Sequence, residues 1–485
     1  NRCAYVCPHA VIRPIALTEE EAANAPEGMD MIDMIGMPNM KFSIAVSAYD
    51  CTGCGSCANV CPGKKGEKAL VMGNMEANAG RQTFFDYGTE LPIKPEVVAK
   101  FKETTVKGSQ FKQPLLEFSG ACAGCGETPY AKLITQLFGD RMYIANATGC
   151  SSIWGNSSPS TPYTVNPQGR GPAWSNSLFE DNAEFGYGML LAQNTIRERL
   201  KASVEKLVEN GANDDVKAAA QEYLDTFSVG ATNGTATDKL VKALEDCDCG
   251  CAERAELLKN KDFLAKKSQW IFGGDGWAYD IGFGGVDHVL ASGQDINIMV
   301  FDTEVYSNTG GQSSKATKTG ATAQFAAGGK ETKKKDLAGI AMSYGYVYVA
   351  QIAMGADFNQ TVKAIAEAEA YPGPSLIIAY APCINHGIKK GMSKAQTEEQ
   401  LAVECGYWNN FRFNPEAEKK FTLDSKEPKG DYQEFLNGEV RYNALMRANP
   451  EKAQRLFAQN EAEAMERYEY LKGLVNLYDG TAKED

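Results

Sequence analysis

The sequence has no hydrophobic run that approaches the roughly 18 apolar residues of a membrane-spanning helix. It also lacks an excess of positive charge, because 62 acidic side chains against 49 basic ones give a net charge of −13. That balance argues against a general surface for nucleic acids or anionic membranes. Glycine and proline are modest and aromatic residues reach 10%, so the composition is not that of a disordered chain. At 485 residues the chain can bury large cores without disulfide bonds.

Cysteine is abundant, with 14 residues. Two interpretations compete: a secreted disulfide framework, or metal ligands in a reducing compartment. Residues 51–62 form a complete C-x2-C-x2-C-x3-C-P run, and residues 3–8 repeat its second half, with Cys3 matching Cys57 and Cys7 matching Cys61. Structural zinc, the alternative metal, normally uses two separated C-x2-C pairs. The spacing therefore predicts 4Fe-4S clusters of the bacterial ferredoxin type.

In two-cluster ferredoxins the last cysteine of each run ligates the cluster of the other run. The ligands predicted for one cluster are Cys51, Cys54, Cys57 and Cys7. Cys3 and Cys61 are then expected to belong to a second cluster, whose other two ligands would lie upstream of Asn1. Because the chain also begins without an initiator methionine, we expect it to be a C-terminal piece of a longer polypeptide.

Between residues 119 and 409, short apolar runs alternate with helical patterns, which predicts an α/β fold with a mostly parallel sheet. The predicted strands are Met142–Ala147, Gln269–Phe272, Ile296–Phe301, Tyr346–Ile352 and Ser375–Tyr380. The predicted helices are Tyr130–Phe138, Ala183–Leu207, Val216–Thr226, Lys239–Asp246, Ala278–Ala291 and Phe358–Ala370. The predicted divisions are a ferredoxin-type two-cluster α+β domain (1–72), a connector (73–118), the α/β domain (119–409) with a charged helical insertion (197–265), and a helical tail (410–485).

Distinctive segments follow four of these strands, at the edge where open α/β sheets bind ligands. They contain Cys150, Gly274-Asp275-Gly276, the run 302–305 and Cys383. A lone Gly-Asp-Gly is often only a turn. Here it lies between a strand and a helix, where the glycines let the backbone approach a phosphate and Asp275 can hold Mg²⁺. The pattern resembles the diphosphate motif of thiamine-diphosphate enzymes, with Thr303 where that motif has asparagine.

Taken together, the segments resemble the pyruvate:ferredoxin (flavodoxin) oxidoreductases, over nearly the whole chain and in the same order. Besides the ferredoxin-type runs, the resemblance is carried by segments 122–127 (Cys-Ala-Gly-Cys-Gly-Glu), 147–150, 274–282, 302–312 and 381–387. It implies the C-terminal part of the long single-chain form, with a thiamine-diphosphate-binding α/β domain. It also implies oxidative decarboxylation of pyruvate with coenzyme A to acetyl-CoA and CO2. Three 4Fe-4S clusters would pass the electrons to ferredoxin or flavodoxin.

The same resemblance implies roles for individual residues. The cluster nearest the cofactor would be ligated by Cys122, Cys125, Cys150 and Cys383. Mg²⁺ would be bound by Asp275, Thr303 and the carbonyl of Val305. Thiamine diphosphate would be lined by Glu127, Cys150, Gly274, Asp275, Gly276, Trp277, Thr303, Glu304, Val305, Tyr306, Ser307 and Asn308. Asn308 would reach the substrate and matter for turnover.

The family is typically a homodimer, and we expect a reducing cytosol for this chain. In the family, the glutamate that pairs with the aminopyrimidine ring lies in the N-terminal domain, as do the groups that clamp the substrate carboxylate. This chain alone is therefore not expected to turn over pyruvate.

Two alternatives stay open at this point. The chain could belong to a related oxidoreductase that acts on another 2-oxo acid, or it could be an electron-transfer module without chemistry of its own. Residues 1–72 alone would fit the second alternative, while the Gly-Asp-Gly segment argues against it. The cysteines at 247, 249 and 251 have a spacing that suits no 4Fe-4S cluster, and we expect them in a surface loop.

Overall fold

The computed structural model describes residues 1–63, 66–156, 161–178, 180–210 and 213–478, which form a small antiparallel sheet followed by a larger mixed sheet. The small sheet lies between the two ferredoxin-type cysteine runs. Its strands are β1 (Ile12–Thr18), β2 (Ile32–Asp33) and β3 (Met40–Val46), in the order β1-β3-β2. Ile12 lies opposite Val46 in the register of the β1–β3 pair.

The region predicted as a connector is helical. The helices of residues 1–118 are Arg2–Tyr5, Glu19–Ala23, Ser56–Val60, Met75–Asn78, Gln82–Glu90, Pro95–Phe101 and Val106–Ser109. Phe85 and Val97, from two helices of the connector, are buried against the strands of the small sheet. Residues 73–118 thus supply the apolar cover of a sheet that is too small to bury its own face.

The larger sheet carries the predicted α/β domain. The strands after residue 118 are β4 (Met142–Ala147), β5 (Ala173–Ser177), β6 (Ser268–Gly274), β7 (Asn297–Asp302), β8 (Val305–Tyr306), β9 (Gln312–Ser313), β10 (Tyr348–Ile352), β11 (Ser375–Tyr380), β12 (Phe411–Phe413) and β13 (Phe421–Leu423). The order is β13-β12-β10-β11-β7-β6-β4-β5, while β8 and β9 form a separate hairpin. Neighbours from β10 to β5 run parallel, and β12 and β13 are antiparallel. The predicted mostly parallel α/β fold is confirmed.

Alternate residues of the central strands enter two different cores. On β7, Ile298 and Val300 join one apolar cluster, and Met299 and Phe301 join the other. Successive side chains of a strand point to opposite faces, so both faces of the sheet are covered. Such burial is typical of parallel sheets, and it explains why the central strands have continuous apolar sequences.

Helices cover both faces of this sheet. The helices of residues 119–265 are Thr128–Phe138, Cys150–Asn156, Asn182–Asn210, Asp214–Asp225, Gly230–Glu245 and Ala252–Lys259. Those of residues 266–478 are Phe283–Ala291, Leu337–Met342, Phe358–Ala370, Ala395–Glu404, Tyr432–Asn437, Val440–Ala448 and Pro450–Tyr478, with a π-helical turn at Gly276–Ile281. None of the helices in the described part of the chain is long and apolar enough to cross a membrane.

The charged insertion forms a helical unit with its own core. Leu200, Tyr223 and Leu240 are buried together there, on three successive helices. Cys247 is buried in the same core, whereas Cys249 and Cys251 are half-buried with their sulfurs 2.9 Å apart. The expectation of a surface loop is therefore wrong for Cys247, because its thiol helps to fill the apolar interior of the insertion.

The tail differs from the helical prediction at its beginning. Residues 410–485 open with β12 and β13, which extend the sheet beyond β10. Three helices follow in the described part of the tail, and Phe435, Leu445 and Leu456 bury their side chains in the main core. Residues 479–485 of this segment lie outside the described residues.

The ferredoxin-type domain packs directly on the α/β domain. Tyr5 is fully buried in the core shared with β6 and β7, and its hydroxyl donates to the carbonyl of Phe358 at 3.1 Å. Its ring also meets the ring of Phe358 edge-on at 5.7 Å. The cysteine run at the N-terminus is thus anchored on the larger domain.

Candidate cofactor and cluster site

The segments singled out in the sequence meet at one edge of the larger sheet. Strands β11, β7, β6 and β4 are consecutive neighbours and run parallel, so their carboxyl ends lie side by side. The loops that follow them carry Cys383, Thr303, Asp275 and Cys150 respectively. The predicted meeting of these loops follows directly from the strand order.

An open cleft lies between these loops. Its lining residues are Glu127, Thr148, Gly149, Cys150, Ser151, Gly274, Asp275, Gly276, Trp277, Phe301, Val305, Tyr306, Ser307, Asn308 and Thr309. All but two of the residues assigned to thiamine diphosphate by the resemblance are among them. The two that are not, Thr303 and Glu304, are buried next to the cleft.

Two features of the cleft fit a closely held, polar cofactor. A Cβ on Gly276 would lie 2.4 Å from the ring of Tyr306, so only glycine leaves the backbone accessible at this narrow point. Trp277 is 2% exposed, and its indole Nε1 has no hydrogen-bond partner in the structure. Because a buried donor without an acceptor is costly, an oxygen of a bound group in the cleft would stabilise this arrangement.

Oxygen atoms converge around Asp275, which is fully buried. The hydroxyl of Thr303 lies 3.0 Å from a carboxylate oxygen of Asp275 and 3.0 Å from the carbonyl of Val305. Ser314 donates to the other carboxylate oxygen at 2.6 Å. Burial, followed by the charge of Asp302, raises the pKa of Asp275 well above its usual range. A carboxylate in this state gains from a cation that takes the place of its proton.

This donor set suits magnesium. Among the described residues, no three His, Cys, Asp or Glu side chains lie close enough together to bind one metal ion by themselves. The group at Asp275 is of another kind, with one carboxylate beside a hydroxyl and a carbonyl. Mg²⁺ is commonly held by one or two carboxylates together with the oxygens of a bound phosphate. The residues present therefore fit a Mg²⁺ ion that is shared with a diphosphate.

A buried ionic network supports the loop after β7. Lys334 donates to Asp302 at 2.7 Å and to Glu304 at 3.1 Å, and Arg441 lies 2.9 Å from Glu304. Burial alone would raise the pKa of Glu304, but Lys334 and Arg441 hold it well below its usual range. Glu304 has φ +61°, a backbone conformation that residues other than glycine rarely adopt. The charges of Lys334 and Arg441 thus stabilise a strained turn next to Thr303, and the side chain of Glu304 does not line the cleft.

His386 stabilises the same loop. Its side chain is fully buried, and its Nε2 lies 2.7 Å from the carbonyl of Thr303. Burial lowers the pKa of His386 to about 3, so the ring is neutral and Nε2 carries the hydrogen that it donates. The sequence offered no signal for this contact, because 83 residues separate the two partners.

The four cysteines assigned to the cluster nearest the cofactor lie close enough for their charges to interact, and Cys150 also lines the cleft. Gly126, next to Cys125, donates its N–H to the carbonyl of Pro382, next to Cys383, at 3.2 Å. The sulfur of Cys150 lies 3.1 Å from the hydroxyl of Ser307. Burial raises the pKa of Cys383 to about 12, even though a backbone hydrogen bond from Asn385 lowers it; the charges of Glu127 and Cys122 raise it further. Thiols in this state ionise only when a metal centre takes up the thiolate.

Glu127 joins the thiols to the cleft. It is 4% exposed, and it accepts a hydrogen bond from the indole of Trp154 at 2.7 Å. Burial raises the pKa of Glu127 to about 7. Its charge also raises the pKa values of Cys125 and Cys150, after burial itself. The carboxyl group of Glu127 thus lines the cleft and also interacts electrostatically with two of the cysteines.

The ferredoxin-type cysteines pair across the two runs. The helix Arg2–Tyr5, next to Cys7, packs against the helix Ser56–Val60, which contains Cys57. Burial, then Cys7 and Cys54, raises the pKa of Cys57 to about 12. Burial raises the pKa of Cys3, and the charge of Cys61 raises it further as a smaller contribution. This crosswise grouping agrees with the ligand exchange of a two-cluster ferredoxin.

One short turn contacts both sets of cysteines. A Cβ on Gly124, between Cys122 and Cys125, would lie 2.6 Å from the carbonyl of Met392. A Cβ on Gly55, which follows Cys54, would lie 3.3 Å from Ser393. The 3-10 turn Met392–Lys394 is therefore packed between the two cysteine loops.

Family comparisons agree with this division of the chain. Residues 1–65 match the model of the 4Fe-4S dicluster domain, and residues 255–379 match the model of the C-terminal TPP-binding domain of thiamine pyrophosphate enzymes. The chain therefore has an iron–sulfur domain and a thiamine diphosphate domain, as predicted.

Curated relatives match almost the whole chain. It is 55% identical to the pyruvate-flavodoxin oxidoreductase of Enterobacter agglomerans and 56% identical to the pyruvate:ferredoxin oxidoreductase of Moorella thermoacetica. Each match covers 98% of this chain and 41% of the relative. The chain is also 46% identical to the pyruvate dehydrogenase [NADP(+)] of Cryptosporidium parvum, a match that covers all of this chain and 27% of that protein. The resemblance stated from the motifs is confirmed for the part of these proteins that the chain spans.

Proposed function

We propose that this chain carries the thiamine diphosphate and iron–sulfur part of a pyruvate:ferredoxin or pyruvate:flavodoxin oxidoreductase. The whole enzyme would convert pyruvate and coenzyme A to acetyl-CoA and CO2. One observation carries the proposal: the cleft that fits the cofactor and the loops that hold four thiols share Glu127 and Cys150. A cofactor in this cleft would lie beside an electron acceptor.

The residues of the cleft bind and orient the cofactor in this proposal. Asp275, Thr303 and the carbonyl of Val305 hold Mg²⁺, while Gly274 and Gly276 leave the backbone open to the diphosphate. When bound, thiamine diphosphate supplies the electron sink for loss of CO2 from a 2-oxo acid. The indole N–H of Trp277 donates to an acceptor in the cleft and satisfies its own unmet hydrogen bond.

Other residues in and around the cleft act on substrate, protons and electrons. Asn308 is exposed at the mouth of the cleft, where its amide would orient a substrate that enters from solvent. Glu127, whose pKa lies at about 7, can hold or release a proton near neutral pH at its carboxyl oxygen. Cys122, Cys125, Cys150 and Cys383 hold the cluster that receives the electrons.

The ferredoxin-type domain continues the route toward the acceptor. Cys7, Cys51, Cys54 and Cys57 hold a second cluster, and Cys3 and Cys61 contribute to a third. An electron-transfer module without its own chemistry is the weaker alternative, because residues 255–379 match a thiamine pyrophosphate domain. The remaining parts of the proposal are a homodimer, a cytoplasmic location, and a preceding segment of the same polypeptide that completes the active site.

The test uses the full-length polypeptide, purified anaerobically and assayed for reduction of ferredoxin and flavodoxin with a panel of 2-oxo acids. We expect coenzyme A-dependent reduction that is fastest with pyruvate. Preference for 2-oxoglutarate or a branched-chain oxo acid would overturn the choice of substrate, and the absence of reduction with every oxo acid would overturn the enzyme. Iron and sulfide analysis should give three 4Fe-4S clusters, and a lower count would remove one of the three cysteine sets.

A further inference from the structure

The two ferredoxin-type runs share a feature beyond their cysteines, because a lysine binds the same pair of backbone carbonyls in each. Lys132 donates to the carbonyls of Ala4 and Tyr5, the latter at 3.1 Å. Lys68 donates to the carbonyls of Ala58 and Asn59, the latter at 3.0 Å. When the runs are aligned on their cysteines, Ala4 corresponds to Ala58 and Tyr5 to Asn59. Each lysine therefore caps the short helix that contains the next-to-last cysteine of its run.

The environments of the two lysines are very different. Lys68 belongs to the ferredoxin-type domain and is exposed. Lys132 belongs to the helix Thr128–Phe138 of the α/β domain, which begins just after Cys125, and its side chain is 2% exposed. Water and salt screen the charge of an exposed lysine, whereas a buried charge acts over a longer range.

Lys132 has no carboxylate partner among the described residues that surround it. Its other polar neighbour is the side-chain oxygen of Gln110, at 3.5 Å. The ionisable groups that face it are Cys7 and Cys3, whose charges favour the ammonium form, and Arg13, whose charge opposes it. A buried cation without a counter-charge is costly. The cluster with its thiolates is anionic and would supply that counter-charge once it is bound.

We propose that Lys132 is a positioning residue that raises the reduction potential of the cluster held by Cys7, Cys51, Cys54 and Cys57. The charge stabilises the reduced cluster, which carries one more electron, more than the oxidised cluster. Lys68 makes the equivalent contact at the other run, near Cys61, but its effect there is screened. The two similar clusters thereby acquire different reduction potentials. The cluster with the higher potential lies beside the turn Met392–Lys394, which also contacts the Cys122 loop.

This inference rests on the proposed function only in that the chain binds the clusters. The test is an anaerobic redox titration, followed by electron paramagnetic resonance, of the full-length, cluster-loaded protein. We expect Lys132→Gln to lower the midpoint potential of one cluster, by about tenfold in its reduction equilibrium, or about 59 mV for one electron. Lys132→Arg keeps the charge and should restore a potential near that of the unmodified protein.

Lys68→Gln is the matched control, because it removes the same two hydrogen bonds at the exposed position. It should give a clearly smaller shift, and it should affect the other cluster. If Lys132→Gln loses iron, Gln110→Glu decides the matter, because it keeps the lysine and adds an opposing charge. That variant should also lower the potential of the same cluster.

Unchanged potentials in a fully loaded Lys132→Gln protein would overturn the inference, and so would an equal shift in Lys68→Gln. Unchanged potentials in a fully loaded Gln110→Glu protein would do the same. A protein that contains the clusters but reduces no acceptor with any oxo acid would refute the proposed function, while the titration would still decide the role of Lys132.

Discussion

Replacing Gly126 with alanine should separate the two loops that hold Cys125 and Cys383. The new Cβ would lie 2.6 Å from the backbone nitrogen of Pro382, whereas ordinary contact begins at 3.4 Å, so the loops must part by about 0.8 Å. The hydrogen bond from Gly126 to Pro382, now 3.2 Å long, would stretch to about 4.0 Å and be lost. Overpacking costs about 1–3 kcal/mol and the hydrogen bond contributes about 0.5–1.5 kcal/mol, so we expect a loss of about 1.5–4.5 kcal/mol in all.

The assay is iron and sulfide content after anaerobic reconstitution of the full-length protein, together with its apparent melting temperature. Gly126→Ala should lose about a third of the iron, because one of three 4Fe-4S clusters no longer assembles while the ferredoxin-type pair remains. Gly120→Ala is the control, because a Cβ there has no neighbour within 4 Å and the residue lies in the same loop. Full iron content and unchanged stability in Gly126→Ala would refute the assignment of these two loops to one cluster.

Three further predictions concern the cleft and the core. Asp275→Ala should abolish Mg²⁺-dependent retention of thiamine diphosphate on gel filtration without changing iron content, and retention at the normal level would contradict the magnesium assignment. Gly276→Ala should weaken cofactor binding at least tenfold by titration because its Cβ meets Tyr306, whereas Gly284→Ala, with free space around it, should not. Burial raises the pKa of Glu399 to about 8 from 4.5, so the folded protein keeps a proton that the unfolded chain releases. Stability should therefore fall between pH 4.5 and 8, and a melting curve series that shows the same slope in Glu399→Gln would disprove this.

The parts of the fold that the sequence revealed are those with a strong local pattern. The strands Met142–Ala147 and Ser375–Tyr380 and the helix Phe358–Ala370 have the predicted bounds, because their apolar residues are continuous or periodic and a Gly or Pro follows each segment after one further residue. β5 shows no such pattern, because three of the five residues of Ala173–Ser177 are polar and the strand lies at the edge of the sheet. β12 and β13 have three residues each, which is too short for a period to show.

The candidate site divides in the same way. Cysteine spacing and Gly-Asp-Gly are local patterns, and they located the loops that the strand order then brings together. The contacts of Trp154 with Glu127, of Lys334 with Asp302 and of Lys132 with Tyr5 join residues 27, 32 and 127 positions apart. No motif connects such partners, because they become neighbours only through the packing of separate elements. The deviation of Glu304 from the expected lining role has the same origin, since Lys334 and Arg441 draw its side chain into the interior.

The turn Met392–Lys394 has a mechanical consequence. Since it packs against the Cys122 loop on one side and the Cys54 loop on the other, the gap between the two proposed clusters would depend on a segment that ligates neither of them. Thermal motion of that segment would displace both loops together, leaving their separation nearly constant. The rate of electron tunnelling falls steeply with distance. A shared spacer of this kind would therefore keep the rate of transfer between the two proposed clusters steady during thermal motion of the rest of the molecule.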